Sequence, residues 1–102
     1  MEYSVQADPG GKTFFLSGQL TFKDHAEIAA LKSELAEMVS TQDCIFDMSD
    51  LEFVDSSGLG SLIAIREEVE PKGIGITLRH PREKVLKIIQ VCGFDTLFTI
   101  DS

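Results

Sequence analysis

Cysteine and histidine are scarce here, two of each, and that scarcity removes whole classes of chemistry. Cys44 and Cys92 lie far apart among apolar residues. Neither belongs to a metal-spacing or redox pair, so both are expected to be buried thiols in a reducing compartment, with no metal and no disulfide framework. His25 and His80 are the only imidazoles, and neither adjoins a serine in sequence. A nucleophile with a base and an orienting group is therefore not expected, nor is an enzyme. Positive charge is also short, with 9 basic against 17 acidic side chains and a net charge of -8. A field of that sign repels phosphate backbones and anionic head groups, which argues against nucleic acid and membrane as partners. Apolar runs are short too: none approaches the ~18 residues that cross a bilayer, and no charged-then-apolar leader opens the chain. The cytoplasm is the expected location.

What is present suits one compact domain. The 102 residues, 43% of them apolar, are enough for a single core with a radius of gyration of roughly 13 Å. No repeat, linker or low-complexity run divides them, so residues 1–102 are expected to form a single domain.

Tyr3 to Gln6 alternates apolar and polar, Asp8-Pro9-Gly10-Gly11 supplies turn residues, and Thr13 to Leu20 is a second, mostly buried strand containing Gly18. These predict a hairpin. Between Lys23 and Ser40, Ile28, Leu31, Leu35, Met38 and Val39 recur at helical spacing, with Asp24 placed to cap. Cys44 to Met48 predicts a short strand interrupted by Asp47, and after Ser49-Asp50 comes a second apolar patch, Leu51 to Val54. A helix from Ser57 to about Val69, carried by Leu59, Leu62, Ile63 and Val69, ends at Pro71 and Gly73. Gly75 to Leu78 is another strand, with Ile74, Ile76 and Leu78 on one face. Pro81 is placed near the first turn of a last helix holding Val85 to Val91, Gly93 caps it, and Leu97 to Ile100 is a final strand. Two strands followed by alternating strands and helices predict an α/β fold, a mixed sheet of about five strands with helices packed on it.

One turn has residue types that packing alone does not require. Asp55-Ser56-Ser57 offers three residues able to cap a helix. Gly58 and Gly60 follow, each costing roughly 0.8 to 1 kcal/mol inside a helix relative to alanine. The glycines could let the turn pack against a strand while Asp55 or Ser56 caps. Alternatively, they leave a bare surface on which another protein reaches the helix end and a serine hydroxyl. Gly-x-Ser-x-Gly is absent, and Gly58-Leu59-Gly60 lacks the third glycine and the lysine of phosphate-binding loops. Asp47, Asp50 and Asp55 are too widely spaced for a calcium loop. The acids Glu67, Glu68 and Glu70 suit a solvated helix face that could rim a basic partner.

With the motifs on either side, the turn resembles the STAS domains, and within them the bacterial anti-sigma factor antagonists. Phe53-Val54-Asp55-Ser56-Ser57-Gly58-Leu59-Gly60-Ser61-Leu62 is similar to that family's strand followed by Asp-Ser-Ser/Thr-Gly-Leu-Gly. Leu16-Ser17-Gly18-Gln19-Leu20 matches its Leu-x-Gly-x-Leu, Phe46-Asp47-Met48-Ser49 its Asp-Leu/Met-Ser, and Gly93-Phe94-Asp95-Thr96-Leu97-Phe98 its closing motif. The resemblance implies a binding protein that is itself a substrate, phosphorylated on Ser56, with Ser57 the second choice. A monomer without cofactor is expected. Its partners would be an anti-sigma factor or serine kinase of histidine-kinase-like fold and a serine phosphatase. The partner surface would comprise Asp55, Ser56, Ser57, Gly58, Leu59, Gly60 and Leu62, with Thr21 and Lys23 from a loop, Leu20 to His25, that departs from the family pattern. The alternative is a constitutive STAS adaptor or transporter-accessory subunit that is never phosphorylated.

Overall fold

The computed structural model describes all residues, Met1–Ser102. The elements run β1 (Glu2–Asp8), β2 (Gly11–Leu20), α1 (His25–Ala36), β3 (Asp43–Val54), α2 (Ser56–Val69), β4 (Ile76–Arg79), α3 (Glu83–Val91) and β5 (Thr99–Asp101), with short 3₁₀ turns at Glu70–Lys72 and Phe94–Thr96. The five strands lie side by side in chain order. β1 and β2 form the antiparallel hairpin, and every later pairing is parallel. Parallel neighbours need a crossover, and each helix supplies one.

All three helices bury the same sheet face. Phe14, Leu16, Phe46, Met48, Ile76 and Leu78 point inward and join Leu31, Leu35, Leu62, Ile65, Val85 and Ile89 in a single cluster of 22 buried residues. Phe14 and Phe46 meet edge to face, with ring centres 5.4 Å apart. On the opposite face Phe15, Asp47 and Arg79 form one cross-strand row, since Asp47 is the register partner of both others. That row is an Asp47–Arg79 ion pair at 3.1 Å with the guanidinium 6.0 Å from the Phe15 ring.

β3 is one strand of 12 residues, where the sequence predicts two pieces. Its pairing with β2 slips twice, between Phe15 and Ser17 and between Gly18 and Gln19. Each slip adds a residue to β3 and reverses its inward phase, so Met48, Leu51 and Val54 are all buried although they are three apart. Asp47 builds the first bulge: its Oδ1 accepts from the Ser49 amide at 3.0 Å and the Ser49 hydroxyl at 2.6 Å. Arg82 donates to the Ser49 carbonyl at 2.8 Å.

Other expectations shift. α1 stops at Ala36, leaving Met38 buried beyond its end and Val39 exposed. Along α2 the fully buried positions are Leu62, Ile65 and Val69, while Leu59 and Ile63 are only partly covered. α3 opens at Glu83 after an extended Arg82, so Pro81 precedes the helix, while Gly93, at φ 74°, ends it as expected. Leu97 lies in the turn before β5, which reaches Asp101. Cys44 is buried, whereas Cys92 is exposed because nothing covers the outer side of the end of α3, where Val91 is 87% exposed while Ile89 on the inner side is buried.

Candidate functional site

The Asp55 turn lies where β3 runs into α2. Asp55 is extended (φ -90°, ψ -179°), and its Oδ1 accepts from the Gly58 amide at 2.7 Å, the geometry of a helix cap. Ser56 and Ser57 are therefore the first two helical residues, one position earlier than the helix start read from the sequence. Both are exposed. They sit at the positive end of the helix dipole among amide hydrogens with no partner inside the helix.

The two glycines separate. A β-carbon on Gly58 would stand 2.4 Å from the Leu20 carbonyl oxygen and 2.9 Å from Val54 Cγ1, so this glycine lets α2 rest against the end of β2. A β-carbon on Gly60 would meet nothing within 4 Å. Packing thus accounts for Gly58, and only Gly60 is bare surface. Gly58 and Leu62 are both buried, which withdraws them from any surface a partner could touch.

The β2–α1 loop is fastened to the same carboxylate. Asp55 N–H donates to the Leu20 carbonyl at 3.1 Å, and Asp55 Oδ2 accepts from the Phe22 amide at 3.4 Å. Thr21 and Lys23 therefore lie beside the turn, as the sequence suggests. Asp24 holds the N-cap position of α1 but does not cap it. Its Oδ2 accepts instead from the Thr21 amide at 2.7 Å, and its Oδ1 meets the Met1 amino group at 2.6 Å. Burial alone would raise the Asp24 pKa, but these partners outweigh it and hold the carboxyl below its ordinary value. The residue the sequence reading missed is Phe22, 59% exposed at the tip of this loop. Its signal was an aromatic among turn residues, outside both periodic patterns. His25 and His80 are exposed at the start of α1 and just after β4, and neither hydrogen-bonds to Ser56.

This arrangement can present a hydroxyl and accommodate an anion at a helix amino terminus beside a rigid loop. The family profile described as STAS domain matches residues 2–102. The chain belongs to the STAS domain family. A STAS-domain containing protein of Pseudomonas aeruginosa is 26% identical over 94 residues, covering 92% of this chain and 91% of that one. An anti-sigma factor antagonist from Mycobacterium paratuberculosis superposes with a TM-score of 0.77 at 25% identity, covering 98% of this chain and 84% of the other. The anti-sigma factor antagonist SpoIIAA shares the fold in its unphosphorylated form (TM-score 0.72, 21% identity, 99% and 89% covered) and, described as a Bacillus cell fate determinant, in its phosphorylated form (TM-score 0.67, 19% identity, 99% and 92% covered).

Proposed function

We propose that this chain is an anti-sigma factor antagonist in a partner-switching pathway, acting as a single domain over residues 1–102 and as a monomer in the cytoplasm. Unmodified, it binds an anti-sigma factor or switch kinase of histidine-kinase-like fold. Phosphorylation of Ser56 releases that partner, and a serine phosphatase restores binding. The chain is a substrate and a ligand, with no catalysis of its own. The observation that carries this reading is an exposed Ser56 at the first position of α2, beside the Asp55 cap and the bare Gly60, in a STAS fold. Ser57 is the second choice of acceptor.

In the transfer, Ser56 Oγ bonds to the γ-phosphorus of ATP as the bond to the bridging oxygen of ADP breaks, and the hydroxyl proton passes to a base on the kinase. The product carries about -1.5 to -2 charges at neutral pH. The amides and dipole of the α2 amino terminus favour that charge, so the domain stays folded. A partner packed over Leu59 and Gly60 must desolvate it next to the Asp55 carboxylate. A cost of ~3 to 4 kcal/mol would weaken the complex on the order of 100- to 1000-fold.

The test has two arms. Incubation with ATP and lysate of the source cell, followed by mass spectrometry, should place phosphate on Ser56. In binding titrations Ser56→Ala should hold the partner and Ser56→Asp should lose it. An unmodified Ser56 and Ser57 in every growth condition would point to a constitutive adaptor or transporter-accessory subunit, and a Ser56→Asp variant that binds like wild type sinks the switch.

A further inference from the structure

Phe22 is the most exposed phenylalanine in the chain, at 59%, against 36% for Phe15. A ring left in water has given up its burial, and on a floppy loop it would mean little. This loop is not floppy. Its ends are tied, with Asp24 Oδ2 accepting from the Thr21 amide at 2.7 Å and the Asp24 amide donating to the Thr21 carbonyl at 3.2 Å. Thr21 Oγ1 accepts from the Lys23 amide at 3.3 Å, and the Phe22 amide itself donates to Asp55 Oδ2 at 3.4 Å. The ring is thus presented on a pre-ordered turn, which lowers the entropy a binder must overcome. The Lys23 ammonium lies 5.9 Å from the ring centre, a cation in a chain of net charge -8. The Asp55 carboxylate bonds the backbone of this loop at Phe22 and the first turn of α2 at Gly58, so the loop that carries the exposed ring is joined directly to the turn that carries Ser56.

We propose that Phe22 is the anchor by which the serine kinase engages this chain, its ring entering an apolar pocket on the kinase whose rim offers a carboxylate to Lys23. Exposed aromatic side chains on ordered elements are the type of residue that dominates interface energetics. The proposal rests on Ser56 being the phosphate acceptor, and the phosphoryl transfer is the one written above. Phe22 takes no part in the chemistry. It sets the affinity of the substrate.

The test uses the full chain and a kinase purified by following phosphate transfer from ATP to Ser56. Phe22→Ala should lower kcat/KM about 30-fold, the loss of one strong interface anchor, with the change mainly in KM. Phe22→Leu should recover most of it, and melting temperatures should not move. Val39→Ala, which trims an apolar residue of similar exposure (56%) elsewhere, should behave as wild type. Wild-type kinetics in Phe22→Ala overturns the anchor while leaving Ser56 as acceptor. Absence of phosphate on Ser56 in the wild type overturns both. A defect in Phe22→Ala that tracks a lower melting temperature and is not relieved by Phe22→Leu assigns the ring to folding and also overturns the proposal.

Discussion

Gly58 and Gly60 stand two residues apart on one helix and meet opposite surroundings. Alanine at either position gains roughly 0.8 to 1 kcal/mol of helix propensity. At Gly60 nothing offsets that gain, since the space beyond is open. At Gly58 the new methyl would press on the Leu20 backbone, and overpacking of this kind costs about 1 to 3 kcal/mol. Gly60→Ala should therefore raise the melting temperature and Gly58→Ala should lower it, as thermal denaturation will show. A fall in both would mean that Gly60 is also held close to something. The same pair bears on function. If the partner needs a bare helix surface, Gly60→Ala gives a more stable protein that binds less well, a combination that loss of folding cannot produce.

α1 ends without a basic residue in its last turn, yet its carboxyl end is well served. Lys72, from the 3₁₀ turn after α2, donates to the carbonyls of Ala36 at 2.6 Å, Met38 at 3.0 Å and Leu35 at 3.4 Å. Lys12 of β2 adds a bond to the Glu34 carbonyl at 3.2 Å. A cation here satisfies free carbonyls and opposes the negative end of the dipole. Lys72→Met keeps the stem and loses the charge, and should cost about 1 to 2 kcal/mol in urea denaturation. The Asp47 bulge in β3 makes a different prediction. Burial pushes the Asp47 carboxyl up, but the Ser49 amide and hydroxyl together with Arg79 pull it further down, so its folded pKa lies below the ordinary value. The fold thus favours the ionised form. Its contribution is complete above the unfolded value of about 3.9 and is lost as pH falls through the lower, folded one. Melting temperature should drop in that acid range for wild type. Asp47→Asn should be less stable at pH 7 and show a shallower acid limb, and an unchanged slope would mean that other carboxylates govern acid unfolding.

At the scale of the molecule, one face of the sheet carries all three helices and the interior is closed around it, with a radius of gyration of 12.4 Å. The two thiols report on that closure from inside and outside. Burial pushes Cys44 up to about 12, against an opposing pull from Lys12, so its reactive thiolate is suppressed. Cys92 stands exposed at the end of α3. Native protein treated with iodoacetamide near pH 8 should take up one label quickly, on Cys92, and the second only on unfolding. Rapid labelling of Cys44 would show that the sheet opens locally between β2 and β3.

Element types and order were readable from the chain because hydrophobic period is a local property: the alternation in Tyr3 to Gln6 and the helical spacing of Ile28, Leu31 and Leu35 need no partner to be seen. The turn at Asp55 was readable for the same reason, since caps and surplus glycines are defined within a few residues. What the chain alone could not decide were relations between distant segments. The slips that join β3 into one strand exist only against β2. Cys92 sits in as apolar a stretch as Cys44, and only the lack of a covering element separates them. Leu62 and Gly60 look equally available on the motif, until the core takes one and leaves the other in solvent. The loop of Phe22 and the helix start at Ser56 are brought together because one carboxylate, on Asp55, bonds the loop through one oxygen and the helix through the other. Sequence determines what each segment prefers to become, and tertiary structure decides which side chains remain outside when those preferences have been packed together.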